Sequence, residues 1–374
     1  MTVAIKGWCP GALRPMESGD GLIVRVRPRC GALTAAQAYA LAEIAERLGN
    51  SQIELTRRAN LQIRGVRPDG LPELHVALDR LGLLDPDVET EAARNVMVAP
   101  LAGIDPETVD VRPLARELEA RCLRGLPAKF GMLVDGGGAV SIAGERADIA
   151  LRASDGRVAV GIDTPSGTRW LGLSDAARAA DVALALAGAL LASGAKGRMR
   201  DAADIEVDVD LEPLAIRPPG SHHRVGAVAG AVGVAAPFGH LEARQLAGLA
   251  AWATEELRLS PWRTLYIPTR DDAAMLQAAI ELGLIVDPTD ALLRVDACPG
   301  APSCTSATVD SRGDALRLAA RGTPGTLHVS GCAKGCARSA PADLVLVGDQ
   351  GRYGVIRNGT PHERPEHWLT PDQL

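Results

Sequence analysis

Aromatic residues are scarce in this chain of 374 residues: two Phe, three Tyr and five Trp make up 3% of it. Apolar residues nevertheless account for 47%, so the core must be built mainly from Ala, Val and Leu. A chain of this length can bury a large core, and we expect two or three domains. The composition therefore excludes a small module and leaves the function open.

Long hydrophobic runs are also missing. The longest, from Val182 to Ala192, is too short to cross a hydrocarbon layer of about 30 Å. Positive charge does not exceed negative charge, because 40 Lys and Arg oppose 46 Asp and Glu, for a net charge of −6. Nucleic-acid binding depends mainly on clustered cations that neutralise phosphates. We therefore expect a cytoplasmic protein with no nucleic-acid partner and no membrane association.

Cysteine is uncommon, with seven residues, yet four of them form two tight pairs. Five residues separate Cys298 from Cys304, and three separate Cys332 from Cys336. Two short loops of this kind can supply the thiolates that a 4Fe-4S cluster needs, one for each iron. Structural zinc is an alternative, although zinc usually takes a tighter CxxC knuckle. Disulfides are disfavoured, because no secretory signal is evident and three cysteines are left over.

The second cysteine pair lies in a longer motif. Ser330-Gly-Cys332-x-x-x-Cys336 is followed, after six residues, by Asp343-Leu-Val345-Leu. This motif resembles the signature of the siroheme-dependent sulfite and nitrite reductases, and only Val345, where a small residue is usual, departs from it. The resemblance implies that all four cysteines bind one 4Fe-4S cluster and that Cys336 also bridges it to a siroheme iron. The residues themselves predict the cluster, and only the resemblance predicts a tetrapyrrole.

The predicted elements of the first 85 residues follow the order βαββα. They are a strand over residues 22–27, a helix from Thr34 to about Leu48, two strands within residues 52–66 and a helix over residues 71–84. This order fits a ferredoxin-like sandwich. The preceding residues 6–21 are rich in turn formers and lack periodicity, so we predict an ordered arm without regular structure.

The chain also contains an internal duplication. Residues 31–42 match residues 239–250 at a constant offset of 208, with identical Gly, Leu, Ala, Gln, Leu and Ala. Two copies about 200 residues apart indicate a duplicated domain pair, since solenoid periods are roughly 20 to 50 residues. The sulfite and nitrite reductases are duplicated in the same way. The resemblance implies an α+β fold with two ferredoxin-like units and two catalytic α/β halves about a pseudo-two-fold axis.

The expected domain boundaries follow from this duplication. Residues 1–85 would form the arm and the first ferredoxin-like unit, and residues 86–200 the first reductase half. Residues 201–287 would form the connection and the second ferredoxin-like unit. Residues 288–374 would form the second reductase half, which carries the four cysteines.

Three cations of the first half resemble residues that line the anion pocket of the reductases. Arg58 lies in a Thr-Arg-Arg-Ala-Asn-Leu-Gln-Ile-Arg-Gly segment, Arg94 precedes an Asn, and Lys129 follows Leu-Pro-Ala. A single Arg is more often a solvated surface charge, but three in family order are expected to converge as catalytic residues. Ala59 and Gly131 stand where the reductases carry polar residues. We therefore expect a substrate bulkier than sulfite or nitrite.

A tetrapyrrole of this class carries acetate and propionate groups, which pair well with guanidinium groups. Candidates to bind them, each of which could equally be an ordinary surface charge, are Arg25, Arg27, Arg64, Arg67, Arg217 and Arg224. His222 and His223 could ligate iron or contact carboxylates, but a position in a loop is the simpler interpretation.

The amino-terminal arm narrows the family. It contains Cys9-Pro-Gly, Met16 and Gly19-Asp-Gly-Leu-Ile-Val-Arg25. These segments resemble the opening of the precorrin-3B synthases, a family that includes members of this compact length. The precorrin-3B synthases are oxygen-dependent monooxygenases of aerobic cobalamin biosynthesis. The resemblance implies hydroxylation of precorrin-3A at C20 with closure of a γ-lactone, using O2 and an NADH-linked or ferredoxin-type electron donor. The family is associated with a mononuclear iron as well, but the sequence has no convincing two-His-one-carboxylate pattern for it.

Two other hypotheses stay open at this point. One is a siroheme-dependent assimilatory sulfite or nitrite reductase. The other is a cluster-bearing binding or scaffold protein without turnover.

Overall fold

The computed structural model describes residues 9–194, 197–202, 209–214, 222–322 and 325–374. Over these ranges the chain forms four sheets of five strands each, with helices packed against them. No helix of the described part is long and apolar enough to span a bilayer. The fold is α+β, as expected.

The first ferredoxin-like unit follows the predicted order of elements. It contains β1 (Met16–Ser18), β2 (Gly21–Val26), β3 (Ala32–Thr34), α1 (Ala35–Leu48), β4 (Gln52–Leu55), β5 (Leu61–Val66) and α2 (Leu71–Arg80). Helix α1 begins after Thr34, whose hydroxyl accepts a hydrogen bond from the N–H of Gln37, while the Gln37 side chain accepts one from the Thr34 N–H. The arm is partly regular, contrary to the prediction, because β1 pairs antiparallel with β2.

The next segment forms a mixed sheet. Its elements are α3 (Val88–Ala93), β6 (Val96–Val98), α4 (Arg112–Ala120), β7 (Met132–Asp135), β8 (Ile149–Ser154), β9 (Arg157–Thr164), β10 (Gly167–Asp175) and α5 (Ala179–Ala192). The sheet order is β10-β9-β8-β7-β6, with parallel pairing from β6 to β8 and antiparallel pairing beyond. Helices α4 and α5 contribute to the apolar core beside this sheet.

The second half of the chain repeats this plan. Its elements are β11 (Gly226–Val228), β12 (Ala231–Ala235), β13 (His240–Glu242), α6 (Ala243–Trp252), β14 (Glu256–Leu259), β15 (Thr264–Pro268), α7 (Asp272–Glu281), β16 (Val295–Ala297), α8 (Ser311–Ala320), β17 (Leu327–Ser330), β18 (Ala342–Asp349), β19 (Arg352–Gly359) and β20 (His367–Leu369). The sheet β16-β17-β18-β19-β20 has the same sequence of parallel and antiparallel pairs as the first mixed sheet. The duplication predicted from the sequence is therefore present in the fold.

The two ferredoxin-like sheets exchange one strand each. Strand β13 pairs with β4 of the first unit, with Leu241 opposite Ile53, and β3 pairs with β14 of the second unit, with Leu33 opposite Leu257. All four side chains are buried in one apolar core that both units share. The domain boundaries at residues 85 and 287 remain a prediction, but each of these sheets takes its fifth strand from the other half of the chain.

We predict that Leu241→Ala destabilises the protein by about 2–5 kcal/mol, because it leaves a cavity in the shared core next to the exchanged strand. Urea denaturation measures this change. The control is Val76→Ala on α2, whose side chain is 51% exposed and whose loss is expected to change the free energy of unfolding by less than about 0.5 kcal/mol. Equal effects of both substitutions would contradict the importance of the exchanged strand.

Candidate functional site

A cavity of about 400 Å³ joins the two halves of the chain, and its volume lies within the range of roughly 300–1,000 Å³ common for small-molecule sites. Its wall contains the four predicted cluster ligands together with two of the three predicted cations. These six residues are Arg58, Lys129, Cys298, Cys304, Cys332 and Cys336. The fold thus brings together residues from the first half and the second half of the sequence.

The cysteine loops start at the ends of neighbouring parallel strands. Cys298 follows β16 and Cys332 lies two residues after β17, so both loops leave the sheet at the same edge. The N–H of Gly331 donates a hydrogen bond to the Cys298 sulfur over 3.1 Å. A side chain at Gly331 would place its Cβ 2.6 Å from the Cβ of Ala307 and 3.4 Å from that sulfur. Glycine is therefore required for the close approach of the two loops.

The four thiols are close enough to affect one another. Burial, followed by the neighbouring charges of Cys298, Cys332 and Cys304, raises the pKa of Cys336 to about 11. The Cys336 side chain is exposed to the open cavity, but the protein around its sulfur still removes much of the solvent. Burial also raises the pKa of Cys332. A hydrogen bond from the backbone N–H of Lys334 lowers this pKa, but by less. Four ionised sulfurs would repel each other here, and the positive irons of a cluster would relieve that repulsion.

The four cysteines line one cavity, and none of them is in a disulfide. Within the ranges that the structure describes, no three His, Cys, Asp or Glu side chains are grouped for one metal ion. A 4Fe-4S cluster needs one thiolate for each iron, which is the number that these cysteines supply. Ligands for an additional mononuclear iron are not assigned.

Arg58 and Lys129 are neighbours on the cavity wall. The Nη2 of Arg58 donates a hydrogen bond to the backbone oxygen of Lys129 over 2.7 Å. Burial, and next the charge of Arg198, lowers the pKa of Arg58. Neither Arg58 nor Lys129 forms an ion pair with a carboxylate of the described part of the chain. Their charges are therefore available to an anionic ligand.

Arg94 does not line the cavity, so the expectation that it faces the substrate is not supported. Its side chain is 2% exposed, and its guanidinium donates two hydrogen bonds of 2.8 Å to Asp85 and one of 2.9 Å to the backbone oxygen of Arg27. Burial lowers the pKa of Arg94, but Asp85 and Glu119 raise it more. A buried cation needs such a partner. Asp85 therefore takes the place beside Arg94 that the resemblance assigned to the substrate.

The two departures from the reductase pattern differ in position. Gly131 lies beside Arg58, because a Cβ there would be 3.5 Å from its Nη1 atom, so a larger side chain would compete with Arg58 for space. Ala59 packs instead in the core of the ferredoxin-like units, 4% exposed and with a φ of 52°. Ala59 therefore does not face the cavity, and its effect on a substrate pocket is indirect.

The other predicted carboxylate-binding residues divide into two groups. Arg25 and Arg64 line the cavity. Burial, and next the charge of Arg27, lowers the pKa of Arg25 to about 10, and its Nε atom has no hydrogen-bond partner among the described residues. Arg64 is held by Asp20 and Glu54. Arg64 could bind a ligand only if an ion pair were broken, whereas Arg25 has a free donor and no such pair among the described residues.

Three of the remaining candidates, Arg27, Arg67 and Arg224, do not line the cavity. Arg27 pairs with Glu91, Arg67 pairs with Asp69 at the surface, Arg224 is exposed, and Arg217 lies outside the described residues. His222 and His223 belong to a loop, as expected. The ring of His223 stacks on Trp262 with centroids 4.9 Å apart, and its Nε2 contacts the Thr264 hydroxyl over 2.9 Å.

Sequence reasoning missed several cations of this site. Among the described residues, eight Lys and Arg side chains line the cavity, against Glu54 as the one carboxylate. The missed cations are Arg57, Arg263, Arg312 and Lys334. Arg57 adjoins Arg58 in one recognised motif and Lys334 lies between Cys332 and Cys336 in the other, so both could have been found there. Arg263 and Arg312 have no local signal. Although burial raises the pKa of Glu54, Arg312 and Arg64 lower it further, so this carboxylate stays ionised.

The amino-terminal arm forms part of the cavity wall through Cys9, Pro10, Met16 and Ser18. Backbone N–H groups of Ala12 and Leu13 donate to the buried Glu91 carboxylate. The Ser18 hydroxyl donates to the backbone oxygen of Ser303 over 2.9 Å, next to Cys304. The arm thus connects the cysteine loop to the basic wall.

We predict that Cys332→Ser removes most of the iron and acid-labile sulfide from anaerobically purified protein, because one iron would lose its thiolate. Iron and sulfide assays with the cluster absorbance measure this. The control is Cys122→Ser, whose thiol lies outside the cavity and is expected to leave the iron content unchanged. Full iron content in Cys332→Ser would contradict the assignment of the ligands.

Comparison with known proteins identifies the family. The model of the nitrite/sulfite reductase ferredoxin-like half domain matches residues 14–81. A precorrin-3B synthase from Sinorhizobium sp is 33% identical over 96% of this chain and 84% of its own length. A ferredoxin–nitrite reductase from Leptolyngbya laminosa is 26% identical over 92% of this chain and 80% of its own length.

A solved structure confirms the fold. The NirA protein of Mycobacterium tuberculosis superposes with a TM-score of 0.72, at 20% identity, over 94% of this chain and 78% of that protein. This likeness supports the duplicated architecture and says nothing more specific about the reaction. Together with the near full-length match to a precorrin-3B synthase, it shows that the chain belongs to the precorrin-3B synthase family of oxidoreductases, with the nitrite/sulfite reductase fold.

Proposed function

We propose that this protein is a precorrin-3B synthase, which hydroxylates precorrin-3A at C20 and forms the γ-lactone in aerobic cobalamin biosynthesis. The observation that carries the proposal is the cavity itself. It combines four cysteine thiols, a wall of cations and the amino-terminal arm. The match to a precorrin-3B synthase over 96% of the chain supports the same activity.

The cations of the cavity suit an anionic tetrapyrrole. Arg25, Arg58 and Lys129 have no carboxylate partner among the described residues, and the Nε of Arg25 is buried without any acceptor. Leaving buried charge unpaired is costly, so an incoming ligand that supplies carboxylates gains affinity from these groups. Acetate and propionate side chains of a precorrin provide several such anions, and guanidinium groups bind them bidentately.

Cys298, Cys304, Cys332 and Cys336 would hold the 4Fe-4S cluster, which supplies single electrons when bound. The overall reaction places one oxygen atom of O2 in the substrate and releases the other as water, with two electrons and two protons. We propose that an NADH-linked or ferredoxin-type donor provides these electrons. Glu54 is ionised and bound to Arg312 over 2.6 Å, so its role is to hold that arginine and not to donate a proton.

The second candidate is a siroheme-dependent sulfite or nitrite reductase. It is favoured by the match to a nitrite reductase over 92% of this chain. The optical spectrum distinguishes the two, because bound siroheme gives strong Soret and Q bands and a cluster alone gives a broad shoulder. Gly131 and the engagement of Arg94 by Asp85 leave fewer free polar groups for a small anion, which favours the monooxygenase.

We predict that reduced enzyme incubated with precorrin-3A under 18O2 incorporates one labelled oxygen atom into the product. Mass spectrometry of the product measures this. A sample without O2 is the control and should give no lactone. Six-electron reduction of sulfite or nitrite at an ordinary enzymatic rate of about 1 to 10³ per second, without incorporation of label, would favour the reductase instead.

We predict that Arg58→Ala and Lys129→Ala each lower kcat/KM for precorrin-3A by about 10- to 100-fold, the expected loss for one charged hydrogen bond of about 1.5–3 kcal/mol. Iron content and melting temperature should stay unchanged. Arg67→Ala is the matched control, since Arg67 lies at the surface with Asp69. Full activity of both cavity variants would contradict the proposed binding wall.

A further inference from the structure

A buried carboxylate beside the cysteine loops binds three arginines. Asp296 is 7% exposed. Its Oδ1 accepts hydrogen bonds from Arg57 over 2.6 Å and from Arg263 over 3.1 Å, and its Oδ2 accepts one from Arg338 over 3.0 Å. No residue of this group is among the expected catalytic or cluster-binding residues. We name Asp296, Arg57, Arg263 and Arg338 the arginine node.

The node contacts the chain next to both cysteine pairs. Asp296 lies two residues before Cys298. The backbone oxygen of Ala337, the residue after Cys336, accepts hydrogen bonds from Arg263 over 2.7 Å and from Arg57 over 3.3 Å. The same two guanidinium groups thus bind one loop through a carboxylate and the other through a carbonyl. Breaking the node would remove one of the links between the two loops, beside the hydrogen bond from the Gly331 N–H to the Cys298 sulfur.

The three arginines come from three separate parts of the fold. Arg57 lies in the turn between β4 and β5, and Arg263 lies in the corresponding turn between β14 and β15 of the second copy. Arg338 belongs to the cysteine loop after β17. The node therefore links both ferredoxin-like sheets to the sheet that carries the cysteines.

The node carries excess positive charge. Three guanidinium groups face one carboxylate, and their neighbour on β17, His328, pairs in register with Asp296. His328 is fully buried, and neither ring nitrogen has a hydrogen-bond partner within the described ranges. Burial lowers the pKa of His328 to about 4, so its ring stays neutral at neutral pH and adds no charge. The net charge of the node is then close to +2.

We propose that the arginine node positions the two cysteine loops and stabilises the reduced form of the cluster that they hold. A 4Fe-4S cluster with four thiolates is anionic and gains one more negative charge on reduction, so fixed cations beside it raise its reduction potential. The members of the node are positioning residues. They act on the cysteine loops through hydrogen bonds to one another and to Ala337, and on the cluster through the electric field of their charges. The inference rests on the cluster ligands and not on the tetrapyrrole substrate, so the 18O2 experiment and the test below can fail independently.

The test compares substitutions that change the charge in opposite directions. Arg338→Gln removes a cation and should make the midpoint potential of the cluster more negative. Asp296→Asn removes the anion and should make it more positive, while Arg338→Lys keeps the charge and should leave it near that of the unchanged protein. Potentiometric titration followed by electron paramagnetic resonance measures the potential. The control is Arg357→Gln, an exposed β19 residue paired with Glu366, which should cause no shift.

The rate of iron release to a chelator tests the positioning role separately. Asp296→Asn removes the negative charge and replaces one acceptor oxygen by an NH2 group, which weakens the contacts to the three arginines. A chelator should therefore remove iron about 10-fold faster than from Arg357→Gln, in line with the usual effect of residues that support metal ligands. Equal shifts of the potential in the same direction for Arg338→Gln and Asp296→Asn would overturn the electrostatic part. Unchanged iron release in Asp296→Asn would overturn the positioning part. If Asp296→Asn does not fold, the Arg338→Gln and Arg338→Lys pair decides the proposal by its potentials.

Discussion

The exchange of one strand between the ferredoxin-like sheets is the constraint on which the site depends. Strand β3 of the first half completes the second sheet, and β13 of the second half completes the first sheet. Their buried leucines join one core, so neither sheet is complete without the other. This arrangement faces the basic turn after β4 toward the cysteine loops after β16 and β17. The cavity is a consequence of the duplicated fold and not of any local segment.

Charge is distributed unevenly in this protein. The chain has a net charge of −6, yet in the part that the structure describes eight cations and one carboxylate line the cavity. The buried arginines divide according to their partners. Arg94 forms an ion pair with Asp85, whereas Arg58 donates a hydrogen bond to the backbone oxygen of Lys129 and forms no ion pair with a described carboxylate. The two arginines thus differ in the presence of a nearby carboxylate.

The sheet that carries the cysteines sets the position of their loops. Parallel pairing of β16 with β17 brings the two cysteine loops to one edge, and Gly331 lets them approach closely. The arm lines the same cavity, and the Ser18 hydroxyl donates a hydrogen bond to the backbone oxygen of Ser303 in the loop that carries Cys304. Residues from both copies of the duplication line the cavity.

The sequence by itself determined the features that depend on local spacing. The two cysteine pairs, the Thr34 cap of α1 and the repeat at residues 31–42 and 239–250 all follow from patterns within about a dozen residues, because capping, helix periodicity and cluster ligation act over short distances. The family resemblance added the expected partners of these motifs. Arg58 and Lys129 line the cavity, and their role there stays a prediction. The motifs alone did not show that Arg94 would pair with Asp85.

Only the tertiary structure decided which charges are free and which are paired. Asp85 and Arg94 lie nine residues apart, but Asp296 meets arginines from residues 57, 263 and 338. The exchanged strands likewise join segments about 200 residues apart, and a hydrophobic strand pattern does not specify its neighbour in a sheet. Electrostatic and strand-pairing energies depend on distances in space, so one sequence without its fold leaves them undetermined.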